Sequence, residues 1–89
     1  MPRYVVERTF ADGLNLPAGE EGNEIRMKIV RNNAELGVTW LHSYVSEDRK
    51  KTYCVYDAPN PDAIREAGKK VNVPVDKITR VTDLTPYEY

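Results

Sequence analysis

Residues 40–46 read Trp40-Leu41-His42-Ser43-Tyr44-Val45-Ser46, and after Glu47-Asp48-Arg49-Lys50 the chain continues Lys51-Thr52-Tyr53-Cys54-Val55-Tyr56-Asp57. Two runs of aromatic and β-branched residues joined by a short polar link read as one antiparallel hairpin. The hairpin holds the only Trp, the only His and the only Cys of the chain. Side chains alternate between the two faces of a strand. Regular alternation puts Trp40, His42 and Tyr44 on one face and Leu41, Ser43 and Val45 on the other. Cys54 and Tyr56 share a face, opposite Tyr53, Val55 and Asp57.

Working outward, Arg3 to Phe10 alternates as a strand, with Tyr4, Val6, Arg8 and Phe10 on one face and Val5 and Glu7 on the other. Ala11 to Gly22 is a turn-rich link carrying Gly13, Pro17, Gly19 and Gly22. A helix is expected from about Gly19–Asn23 to about Leu36. Its apolar stripe is Ile25, Ile29 and Leu36, flanked by Val30 and Ala34 and interrupted by Asn32 and Asn33. Gly37 follows as a helix-ending residue.

Beyond the hairpin, Asn60 is a good N-cap, Pro61 suits the first helical position, and Asp62 favours the positive end of the helix. Ala63, Ile64, Ala67 and Val71 recur at helical spacing. Gly68 weakens this helix by about 1 kcal/mol relative to Ala unless close packing requires it. Asn72-Val73-Pro74 stops it. Lys77 to Leu84 reads as a last strand and Pro86 to Tyr89 as a tail.

The order β-α-β-β-α-β, with right-handed crossovers, specifies an α+β domain of ferredoxin-like plan spanning residues 1–89. Its four-stranded antiparallel sheet carries both helices on one face. The other face is left uncovered, and Trp40, Tyr44 and Tyr56 there would form an apolar patch that a sheet-face dimer covers economically.

The totals narrow the function classes. With 30% charged and 40% hydrophobic residues the 89-residue chain is a globular composition, too apolar for disorder. A net charge of −1 gives no electrostatic case for nucleic acid or an anionic membrane. No apolar run approaches the roughly 20 residues of a membrane helix, and the N-terminus has no apolar signal core. A single Cys fits a reducing cytoplasm.

Chemistry concentrates on the hairpin. An odd-length connection pairs His42 with Cys54 at a Cβ separation of about 5 Å, whereas a two-residue turn at Asp48-Arg49 pairs Ser43 with Cys54. A neutral imidazole and a thiolate are both good ligands for nickel, zinc or copper. Glu7 could add a carboxylate from the neighbouring strand. No C-x-x-C, H-x-x-x-H or second His is present, so a metal site needs carboxylates, water or a second subunit. A Cys–His nucleophile pair lacks an orienting group and an oxyanion hole by motif. An RNA-binding sheet of this strand order would need a Gly-containing basic-aromatic third strand, and Lys51 to Tyr56 has no Gly.

The stretches 3–10, 37–46, 51–59 and 63–67, and above all Trp40-Leu41-His42-Ser43-Tyr44-Val45-Ser46 and Lys51-Thr52-Tyr53-Cys54-Val55-Tyr56, resemble a family of small bacterial proteins. The family is a domain of unknown function whose members are often labelled nickel-binding. The resemblance implies a ferredoxin-like fold, a homodimer and nickel binding. Glu7, Trp40, His42, Tyr44, Cys54 and Tyr56 match characteristic family residues.

Two readings result. In the first the chain is a non-enzymatic dimer that binds nickel, zinc or a similar divalent ion through His42, Glu7 and Cys54. In the second it is a dimeric α+β barrel protein holding a small organic molecule against Trp40, Tyr44 and Tyr56, in the manner of cofactor-free oxygenases and isomerases, with His42 and Glu7 as acid–base groups.

Overall fold

The computed structural model describes residues 1–16 and 18–87; Pro17, Glu88 and Tyr89, which fall in the expected link and tail, lie outside the described residues. Strand β1 spans Arg3–Thr9, helix α1 Gly19–Glu35, β2 Thr39–Val45, β3 Lys51–Asp57, α2 Pro61–Lys70 and β4 Lys77–Val81. The sheet order is β2-β3-β1-β4 with every pairing antiparallel. This is the ferredoxin-like plan. Strands β1 and β4 end earlier than alternation alone predicts, at Thr9 and Val81.

Local chemistry sets both ends of α2 and the C-terminal end of α1, whose N-cap residue Ala18 makes no side-chain cap hydrogen bond. The Asn60 side chain accepts the Ala63 N–H at 2.9 Å and caps α2, while Lys69 and Lys70 complement its C-terminus. Leu36 caps the end of α1, and Gly37 follows at φ 73°, a conformation in which glycine carries no Cβ penalty.

The core lies between the sheet and the helices. Tyr4 and Val6 of β1, Cys54 and Tyr56 of β3, Val38, Ala58 and Ile64 of α2 are all buried there. The inward stripe of α1 differs from expectation. Its most buried residues are Gly22 and Asn33, with Arg26, Ile29 and Leu36 partly buried at the same spacing. Ile25 and Val30 remain on the exposed side of the burial range. Helical spacing from Leu36 and Ile29 runs through Asn33, so the polar residue that interrupts the stripe is also its centre.

The β2–β3 turn is tied to the β1–α1 loop. The Leu14 N–H donates to the Arg49 carbonyl at 2.6 Å, and Arg49 Nε donates to the Leu14 carbonyl at 3.2 Å. These bonds fold the loop over one end of the helix-side core.

Candidate functional site

A β-bulge between Trp40 and His42 decides which hairpin residues meet. Trp40 pairs with Tyr56, His42 with Val55, Ser43 with Cys54 and Tyr44 with Tyr53. Leu41 is the extra residue, and an inserted residue reverses the alternation beyond it. Trp40 therefore faces the helices with Ser43 and Val45, while His42 and Tyr44 face the uncovered side. This corrects the expectation that Trp40, His42 and Tyr44 share a face. The Trp40 Nε1–H donates to Ser43 Oγ at 2.8 Å, a bond between residues i and i+3 that a regular strand would hold on opposite faces.

The register also decides between the two pairings that the connection left open for Cys54. Ser43, not His42, lies across from Cys54, the register of the tighter turn. Val6 flanks Cys54 on β1. Cys54 is buried on the helix side, where its Sγ–H reaches Thr52 Oγ1 at 3.7 Å. His42 is exposed on the opposite side of the sheet.

The uncovered face carries His42 and Tyr44 from β2, Tyr53 and Val55 from β3, and Val5 and Glu7 from β1. The His42 and Tyr44 rings meet edge to face, with centroids 5.3 Å apart and planes at 86°. Tyr44 is 64% exposed. Glu7 pairs with Tyr53, so it sits two strands and one same-face step from His42. Sheet spacings put their Cα atoms about 12 Å apart. Among the described residues no three His, Cys, Asp or Glu side chains group closely enough to hold a metal ion. One chain alone thus does not supply a closed nickel or zinc site from His42, Glu7 and Cys54.

The other three predicted residues divide between the two faces. Trp40, Tyr56 and Cys54 line a cleft of about 310 Å³ between the sheet and the helices, and Tyr44 does not. Its walls are mostly apolar, with Ile29 of α1, Ile64 and Ala67 of α2, and Val38 and Val45 beside the aromatic pair.

Two polar residues in this cleft were not singled out from the sequence. Arg8 is buried, donating from Nη1 to the Pro74 carbonyl at 2.6 Å and from Nη2 to Tyr56 Oη at 3.1 Å. Its guanidinium carbon lies 5.8 Å from the Tyr56 ring centre. None of the ion pairs among the described residues involves Arg8. Asn33 is buried, and its Nδ2 has no hydrogen-bond partner. An unsatisfied buried amide costs about 1–3 kcal/mol. The signal for Arg8 was present, because it falls on the same alternation as Tyr4 and Val6. A charge on an apolar strand face needs a reason to be there.

Burial pushes the Tyr56 phenol above its ordinary value of 10, against the pull of the Arg8 charge. The neighbouring Cys54 thiol adds to the rise. Near the sheet's far end, Arg3 donates to Asp57 at 2.9 Å and holds its carboxyl below the ordinary value of 3.8. No helix among the described residues is long and apolar enough to cross a membrane.

No curated protein matches the chain. The crystal structure of SCO4226 from Streptomyces coelicolor A3(2) superposes with a TM-score of 0.71, covering 93% of this chain and 99% of that one at 11% sequence identity. At that identity the likeness shows the fold. The family model described as nickel responsive protein SCO4226-like matches residues 4–81, which include both helices, the cleft and all four strands but for Arg3 at the start of β1. The chain therefore belongs to the SCO4226-like family of nickel-responsive proteins.

Proposed function

We propose that this chain is a small metal-binding protein that takes up nickel, or zinc as a chemically similar ion, as a homodimer in the cytoplasm. The observation that carries the reading is membership of a nickel-responsive family over residues 4–81. His42 is the donor in a position to use it. It is the only imidazole in the chain and is exposed on the uncovered sheet face. Imidazole suits nickel and zinc.

A single His is too few donors. A second copy stacked on the uncovered face would bring its own His42 and Glu7 and cover Tyr44, so metal and subunit partner belong to one proposal. Cys54 is on the far side of the sheet and takes no part in that donor set.

Native mass spectrometry of the full chain, with and without added nickel or zinc, tests this. The expected result is a dimer taking up discrete ions, with uptake lost in His42→Ala. A monomer without discrete uptake overturns the proposal, and unchanged uptake in His42→Ala removes His42 from the site.

A further inference from the structure

We infer that the cleft between the sheet and the helices binds a small apolar monocarboxylate, with its carboxylate on Arg8. The cleft is distinct from the metal-binding face, since the sheet itself separates the two.

Size and lining come first. About 310 Å³ is the lower end of small-molecule pockets, and the walls are apolar with few polar groups, as such pockets are. Charge comes second. The formally charged residues that line it are Arg8 and Arg26, and no Asp or Glu does. Arg8 is only 5% exposed. A buried cation is normally matched by an anion, and its neighbours Pro74 and Tyr56 offer neutral oxygens. Two of the five guanidinium donors are used by them, and the planar fork is shaped for a carboxylate.

Unused donors come third. Asn33 is 3% exposed, lines the cleft, and has an Nδ2 without a partner. Tyr56 Oη accepts from Arg8 Nη2 at 3.1 Å and holds the guanidinium against the cleft wall. The unused Arg8 donors and Asn33 Nδ2 are suited to one acceptor-rich head. A single carboxylate matches the single deeply buried cation. A phosphate dianion would bring a second charge into mostly apolar walls.

Octanoate and 1-octanol, which share a chain and differ in the head, are the probes. Titration calorimetry on the metal-free full chain with chelator present is read alongside the fluorescence of Trp40, the only Trp, which lines the cleft. The expected result is one octanoate per chain, a change in Trp40 emission, and at least tenfold weaker binding of octanol. Arg8→Gln should remove that preference. Ala67→Leu, which fills the cleft, should abolish binding of both probes with the melting curve retained, and His42→Ala, on the other face of the sheet, should lose metal uptake but bind octanoate as the wild type does. The inference is overturned by absence of saturable octanoate binding, by equal affinities for the two probes, or by binding that depends on His42. Should Arg8→Gln fail to fold, the probe comparison and Ala67→Leu still decide.

Discussion

His42 and Cys54 occupy adjacent strands yet face opposite sides of the sheet, because His42 pairs with Val55 and Cys54 with Ser43. One is reachable from solvent on the uncovered face, and the other is packed under the helices. Their separate fates follow from that single offset.

The first prediction concerns these two residues. His42→Ala should weaken nickel uptake while leaving stability within about 0.5 kcal/mol, as for other exposed substitutions. Cys54→Ala should leave nickel uptake unchanged and lower stability by about 1–2 kcal/mol through lost packing. Calorimetry with nickel and urea melts read both. Equal loss of uptake in the two variants would contradict the opposite-face geometry.

Helix α2 depends on its cap. Asn60→Ala removes the acceptor of the Ala63 N–H and should cost about 1 kcal/mol, visible as a lower urea midpoint with unchanged slope. Asn60→Ser should restore most of it.

Gly68 is held by tertiary contact. A Cβ there would stand 3.1 Å from Val75 Cγ2 and 3.5 Å from the Val73 carbonyl. The gain of about 1 kcal/mol that Ala brings to a helix interior should therefore be largely cancelled in Gly68→Ala. A thermal melt showing the full gain would mean that Val75 yields freely.

Acid should weaken the Arg3–Asp57 link. The hydrogen bonds from Arg3 lower the folded-state value of the Asp57 carboxyl below 3.8. A depressed carboxylate contributes stability fully above its ordinary value and loses it as pH falls through the depressed one. Both side chains are partly exposed, so the effect is small and screened by salt. Between about pH 5 and pH 2 the wild type should lose its advantage over Asp57→Asn at low salt. A constant difference across that range would rule the link out as the cause.

Alkali acts on Tyr56. Its raised folded-state value means a contribution present below pH 10 and lost as pH climbs through the raised value. An ultraviolet titration should show a late-ionising tyrosine that disappears in Tyr56→Phe. Removing the Arg8 charge should delay it further, since Arg8 pulls the value down.

The sequence by itself determined the order of elements, the hairpin, the capped start of α2 and the end of α1 near Gly37. These rest on local rules: alternation, helical spacing, an N-cap Asn with Pro after it, and glycine at a positive φ. The strand order followed because right-handed crossovers leave few topologies. Which face each hairpin residue occupies was decided only in the tertiary structure. One extra residue, Leu41, turned Trp40 away from His42 and Tyr44, and strand propensity carries no mark of such a bulge. The same holds for the cleft. Arg8 on an apolar alternation and Asn33 inside an apolar stripe were both visible in the chain. That they line one space with Tyr56 depends on two helices packing across three strands, contacts between residues far apart in sequence that no local pattern encodes.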